Sequence, residues 1–286
     1  MKLKAILLSI MFFSCKNVDV NLIYEKAGRE CRQGNYMQAQ KILDEEIPAK
    51  DRDYRFYLTY GMCYMWINPD LYSVLAIDYF EKAYDYNPDK YWPNYYLGVT
   101  NYYLLNYKKA LEYLTKAKNI FESKFEEQYL DEASPFIYLT DIYYQLGNLP
   151  ECRTCIGKSF GVDKGYEAYI YIQQGILTSS ETDDADFLES NYKKAKLIEP
   201  DYAYIDKIYI HQLVRLGEYE NAESKIKEFL NGNKNTDSWI YSEYAYLKLA
   251  QQDYVQAKKF LDKADALYST DKSTKRYYIY CRSSRT

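Results

Sequence analysis

The chain has 286 residues, and 37 of them are Tyr, as many as Lys and Arg together. Hydrophobic residues make up 48%, enough to bury a core, and the scarcity of Gly (11) and Pro (7) argues against an all-β protein of many tight turns. A single histidine, His211, excludes HExxH zinc sites and His-rich metal clusters, and a formal charge of −4 gives no footing for nucleic acid.

The chain begins MKLKAILLSIMFFSC. Lys2 and Lys4 precede an apolar run from Ala5 to Phe13 that would span roughly 14 Å as a helix, less than half of a bilayer core. That is the size of a signal-peptide h-region. Ser14 followed at once by Cys15 resembles a bacterial lipoprotein lipobox, although Phe stands where Leu is usual. The resemblance implies that residues 1–14 are a signal peptide, that Cys15 carries the lipid (palmitate-type acyl chains), and that residues 15–20 are a tether. It also implies attachment to the bacterial cell envelope, most simply the outer membrane, with membrane contact through the lipid anchor only. The alternative is a plain secretory signal with an incidental Cys. Loss of residues 1–14 removes two Lys and no acid, taking the formal charge from −4 to −6. The remaining cysteines, Cys31, Cys63, Cys152, Cys155 and Cys281, are odd in number and scattered, which is no disulfide framework.

A repeat follows. Tyr95-Tyr96-Leu97-Gly98, Tyr102, Tyr107, Ala110, Leu114 and Ala117 place an aromatic, Leu-Gly and Tyr on one helix ahead of Ala, Leu and Ala on the next. The same frame returns at Ala27, Gly34, Tyr36, Ala39 and Leu43. It returns again at Tyr57, Gly61, Tyr64, Ala76, Phe80, Ala83 and Pro88, with about three extra residues in the inner turn. Further copies lie at Leu139, Tyr143, Gly147, Cys152 and Ile156; at Tyr209, Leu213, Gly217, Tyr219, Ala222 and Ile226; and at Tyr241, Tyr244, Ala245, Tyr254, Ala257, Leu261 and Ala264. The fifth copy is clear only in Leu188, Tyr192, Ala195 and Pro200. The polar stretch Thr178 to Asp186 before it reads as an enlarged inner turn, and an insertion is expected around Phe121 to Ser134. This pattern resembles the tetratricopeptide repeat (TPR) family.

The resemblance implies an all-α, right-handed superhelical solenoid of about seven helix-turn-helix repeats across residues 21–270. The repeats fall near 21–50, 54–88, 91–122, 133–162, 165–200, 202–232 and 238–269, and residues 271–286 form a C-terminal capping helix. Physically, Gly and Ala let paired helices approach, while Tyr, Leu and Phe at three- and four-residue intervals give each helix an apolar stripe. Pro88 and Pro200 end the second helices of their repeats.

Chemistry-bearing residues are few. Cys152-Arg-Thr-Cys155 stands at a helix start, where thiols become acidic, but it lacks the βαβ context of a redox motif. Cys152 also occupies a small-residue packing position. Lys207, His211 and Arg215 lie one helical turn apart and suit an anionic group or a solvated face. Glu181, Asp183, Asp184 and Asp186 lack EF-hand spacing and read as a solvated loop. No P-loop or GxSxG motif argues for catalysis.

In TPR proteins certain first-helix positions line a concave groove. Here those positions hold Tyr24, Trp66, Trp92, Tyr95, Tyr102, Tyr103, Tyr144, Tyr204, Trp239 and Tyr246. With Lys207, His211 and Arg215 they make a candidate partner-binding surface; otherwise Tyr is simply the preferred packing residue of this chain. The expected function is therefore a non-enzymatic interaction scaffold or assembly factor of the bacterial envelope. It would need no cofactor or metal, and would bind an envelope protein or extended peptide segment. The alternative is a surface lipoprotein that takes a glycan or another small ligand on the same rings.

Overall fold

The computed structural model describes residues 19–67, 69–123, 134–232 and 238–268. The expected signal peptide, Cys15, the capping segment 271–286 and Cys281 lie outside the described residues.

Among the described residues the chain forms fourteen α-helices in seven antiparallel pairs. They are α1 (Val20–Arg32) with α2 (Tyr36–Glu46), α3 (Tyr54–Ile67) with α4 (Pro69–Tyr86), and α5 (Tyr91–Tyr103) with α6 (Tyr107–Ser123). Next come α7 (Pro135–Gln145) with α8 (Leu149–Val162) and α9 (Glu167–Thr182) with α10 (Ala185–Ile198). The last are α11 (Ala203–Arg215) with α12 (Tyr219–Gly232) and α13 (Ser238–Ala250) with α14 (Tyr254–Tyr268).

Five of the inner turns share one geometry. The residue two past the first helix takes a left-handed φ, and the next backbone N–H bonds back into that helix, as Asn35 N does to Glu30 O at 2.9 Å and Glu218 N to Leu213 O at 2.9 Å. Gly34, Gly147 and Gly217 meet that demand without a Cβ penalty, whereas Leu105 (φ 59°) and Gln252 (φ 61°) adopt it with a side chain.

Within a pair, small residues set the spacing. An added Cβ at Gly98 would stand 2.5 Å from Leu114 Cγ, and one at Gly61 would stand 2.6 Å from the Phe80 ring. Ala27, Ala39, Ala76, Ala83, Ala110, Ala117, Ala222 and Ala245 are fully buried. Between pairs, each first helix also packs on the first helix of the next repeat, so α3, α5, α7, α9, α11 and α13 form one continuous layer. The apolar core follows that stacking as a chain of clusters, around Leu43, Phe56 and Cys63, then Phe80, Leu97 and Leu114, then Ile156 and Ile170, then Leu188, Leu213 and Ile240.

Two expectations about loops are corrected. Thr178 to Thr182 are helical, so the inner turn of the fifth pair is only Asp183-Asp184. The polar side chains bond within the fold: Thr182 Oγ1 donates to Thr178 O at 2.8 Å, and Ser179 Oγ to Ile176 O at 3.1 Å. In the second pair the extra residues lengthen the helices instead of the turn, since α3 reaches Ile67 and α4 begins at Pro69.

The tyrosine surplus has a physical account. Many rings pack in or against the core while their hydroxyls donate to a carboxylate on a neighbouring helix or, for Tyr24, just ahead of one. Tyr24 donates to Asp53 at 2.9 Å, Tyr60 to Asp44 at 2.9 Å, Tyr192 to Asp206 at 2.7 Å and Tyr244 to Glu223 at 2.9 Å, and Tyr209 donates to Glu189. Burial first, and then the partner carboxylate, push these hydroxyls above the usual tyrosine range and keep them protonated donors.

Candidate partner-binding site

The layer of first helices is indented between α5 and α11 by a half-open cavity of about 360 Å³. Its floor is organised by Asp141, the one charged residue of α7 (PFIYLTDIYYQ). Tyr102 from α5 donates to Asp141 Oδ2 at 2.8 Å, and Tyr169 from α9 donates to the same oxygen at 2.6 Å. Gln173 Nε2 donates to Oδ1 at 2.8 Å and to Ile137 O at 3.1 Å. One carboxylate thus ties three consecutive repeats together, and its charge is met by three inward donors. Burial, with Asp141 alongside, pushes the Tyr169 hydroxyl well above its ordinary range, so it remains a donor.

The walls differ in character. Arg215, at the end of α11, donates from Nη1 to Tyr144 Oη at 2.8 Å and lies 5.4 Å above the Tyr144 ring. Tyr144 Oη shares a 2.7 Å hydrogen bond with Ser180 Oγ, which also accepts from Gln212 Nε2 at 2.8 Å. Lys207 Nζ stands 5.6 Å from the Tyr204 ring centre. His211 stacks on Tyr246 with ring centres 4.8 Å apart and planes 13° apart, and its Nδ1 lies 3.1 Å from Glu243 Oε2. Glu243 is fully buried, and its Oε1 has no hydrogen-bond partner among the described residues. Three cationic or titratable groups therefore converge over a floor whose own acid is already saturated. The arrangement suits an anionic group carried on an extended, partly apolar segment.

The sequence-selected residues divide accordingly. Tyr102, Tyr144, Tyr204, Lys207, His211 and Arg215 line the cavity, and Tyr246 supports it through His211. Tyr95 and Trp239 are corrected out of any groove: Tyr95 is 2% exposed and Trp239 7%, each packed inside a core cluster. Trp92 stacks on Tyr96 and meets Tyr91 and Tyr95 edge-on, so it too is mainly a packing residue. Tyr103 packs edge-on against Tyr102 at 5.6 Å and does not line the cavity. Tyr24 and Trp66 belong to the first repeats, far along the solenoid; Tyr24 lies under the Arg55 guanidinium at 4.5 Å.

Asp141, Tyr169, Gln173 and Gln212 went unmarked in the sequence. Only Asp141 carried a signal, as the one charged side chain of an otherwise largely apolar helix; Gln173 beside Gln174 and Gln212 beside His211 look like ordinary polar positions.

The other candidates resolve into structural roles. Cys152 and Cys155 are buried, and burial raises their thiols to about 12 and about 11, in keeping with the small-residue packing role expected of Cys152. Asp184 caps α10 by accepting from Asp186 N at 2.9 Å and Phe187 N at 3.3 Å, and Glu181 pairs with Arg153. Among the described residues no group of three or more His, Cys, Asp or Glu is disposed to hold a metal ion, and no helix is long and apolar enough to cross a membrane.

No protein-family model matches this sequence, and no curated protein matches it. Solved structures do match by shape. A tetratricopeptide repeat protein from Parabacteroides merdae aligns with a TM-score of 0.64 at 15% identity, over 90% of this chain and 96% of that one. The APC/C Cut9–Hcn1 hetero-tetramer aligns at 0.61 with 16% identity, over 92% of this chain and 48% of that one. The human IFIT1 dimer with PPP-AAAA aligns at 0.61 with 13% identity, over 88% of this chain and 61% of that one. With its seven stacked helix pairs, the chain has the tetratricopeptide-repeat fold, a right-handed superhelical solenoid.

Proposed function

We propose that the chain is a non-enzymatic interaction scaffold that holds an extended, anionic segment of a partner protein in the cavity between α5, α7, α9 and α11. One observation carries this reading: Lys207, His211 and Arg215 converge on an aromatic-walled cavity whose acid, Asp141, is already bonded to Tyr102, Tyr169 and Gln173. At about 360 Å³ the cavity admits one or two side chains of a segment, not a folded surface. The same engagement weighs against the glycan alternative, because the Tyr102 and Tyr169 hydroxyls are directed to Asp141. The run Ala5–Phe13 followed by Ser14-Cys15 supports a lipid-anchored place in the bacterial envelope, and the partner would then be an envelope protein.

The test is site-specific photocrosslinking of the full chain in its native membranes. A benzophenone amino acid at Tyr204 should give a discrete protein adduct. The same probe at Leu197, 83% exposed on α10, should not. The adduct should fade at least tenfold in Lys207→Ala/Arg215→Ala, with helicity unchanged by circular dichroism. An adduct indifferent to those charges would overturn the anionic-segment reading. No protein adduct, together with quenching of cavity fluorescence by a sugar, would replace it with the glycan alternative.

A further inference from the structure

We infer that Cys31 and Cys63 form a disulfide that staples the first repeat to the second. Cys31 lies in the last turn of α1 and Cys63 near the C-terminal end of α3, and these helices pack side by side as first helices of adjacent repeats. Both side chains are buried, 2% and 0% exposed, in the cluster formed by Ile23, Ala27, Leu43 and Phe56. Their sulfurs stand 2.9 Å apart, which is about 0.9 Å beyond the ~2.05 Å of a disulfide bond. Nothing in the sequence marks the pair, because the two cysteines are 32 positions apart in different repeats. Only the stacking of α1 on α3 makes them neighbours.

The chemistry requires a disulfide oxidant, either a small-molecule disulfide or the oxidised dithiol of another protein. One cysteine thiolate attacks a sulfur of the oxidant, forming a mixed disulfide and releasing one thiolate. The second cysteine thiolate then attacks the protein-bound sulfur and expels the other thiolate. Two protein thiols are oxidised, the oxidant's disulfide is reduced to two thiols, and the two cysteine protons pass to those products. Because both sulfurs are buried once α1 docks, the exchange takes place during folding or transient opening of the first repeat. Docking then shields the bond.

The position gives the staple a purpose. Among the described residues the first repeat packs on one neighbouring repeat only, α1 and α2 on α3, and a repeat held on one side opens more readily than one held on both. The bond closes the loop between residues 31 and 63, which restricts the opened state of that repeat. It also ties α1 to the body of the array.

The full chain, equilibrated with oxidised glutathione, is alkylated under denaturing conditions and mapped by mass spectrometry. A Cys31–Cys63 linked peptide with a deficit of about 2 Da, the two hydrogens lost, is expected, with Cys152 and Cys155 alkylated. Amide exchange is then compared between this sample and the same chain reduced with dithiothreitol. Reduction should speed exchange in α1 and α2 by at least tenfold and leave α11 and α12 unchanged. Quantitative alkylation of both Cys31 and Cys63, a Cys152–Cys155 bridge in their place, or exchange in α1 and α2 indifferent to reduction would each overturn the inference.

Discussion

Gly98→Ala tests whether small residues set the helix spacing. In an isolated helix the change is favourable by about 1 kcal/mol, because Ala restricts the unfolded backbone and suits the helix. At Gly98 the new Cβ would stand 2.5 Å from Leu114 Cγ and 3.0 Å from the Leu114 backbone nitrogen, where ordinary contacts between carbons need about 3.5 Å or more. Rotating Leu114 relieves only the first clash, and that side chain is itself fully buried. The helices α5 and α6 must therefore part, and overpacking of this kind costs about 1–3 kcal/mol. The net expectation is a loss of about 1 kcal/mol. Gly157→Ala on α8 supplies the opposite sign, since its Cβ would meet nothing within 4 Å and the helix preference acts alone, stabilising by about 0.5–1 kcal/mol. Urea denaturation followed by far-ultraviolet circular dichroism measures both, with amide exchange in α5 and α6 reporting local loosening where unfolding is not two-state. If Gly98→Ala raised the urea midpoint as Gly157→Ala does, close packing at this position would be refuted.

Three further expectations rest on other parts of the fold. Gln252→Gly, at an exposed turn residue with φ 61°, should raise the melting temperature by relieving about 1 kcal/mol of left-handed strain; a lower melting temperature would contradict the turn geometry. Asp141→Ala removes the acceptor shared by the Tyr102 and Tyr169 hydroxyls and one of the two acceptors of Gln173, and should cost about 2–4 kcal/mol in urea unfolding; a neutral result would show that these bonds do not hold the cavity floor. Lys227 and Lys248 beside Glu223, with Tyr244 as a further donor, hold its carboxyl down to about 2. A depressed folded value means that this contribution is complete above the ordinary carboxylate range near pH 4.3 and is lost as pH falls toward 2. Because the site is partly exposed, about 1 kcal/mol is expected after solvent screening. Glu223→Gln should lower the urea midpoint at pH 7 and lose less between pH 4 and 2.5 than the native chain, and parallel pH profiles for the two proteins would refute the assignment.

The repeat was legible because its spacing rules are local. Gly98, Ala110, Leu114 and Ala117 recur at intervals that any helix pair of this kind must satisfy, so the seven-pair architecture could be read from one strand of letters. The fifth pair was misread for a reason equally physical. Thr178 to Thr182 look like a turn because their side chains are polar, yet Ser179 and Ser180 meet Gln212 and Tyr144 from neighbouring repeats, and the helix continues. Composition cannot separate a polar residue facing water from one facing a buried polar partner. The site suffered the same ambiguity. Tyr95 and Tyr102 stand seven positions apart on one face of α5, so periodicity alone could not tell Tyr95, inside the core, from Tyr102, at the cavity.

The amino-acid sequence by itself determined an all-helical array, because helix periodicity, small-residue spacing and turn chemistry act within a few tens of residues. The tertiary structure alone decided which rings are core and which are wall, that Asp141 joins three repeats, and that Cys31 meets Cys63. Each of those facts depends on how one repeat is rotated and stacked on the next. That geometry is set by the summed packing of many side chains, and no single residue or spacing records it.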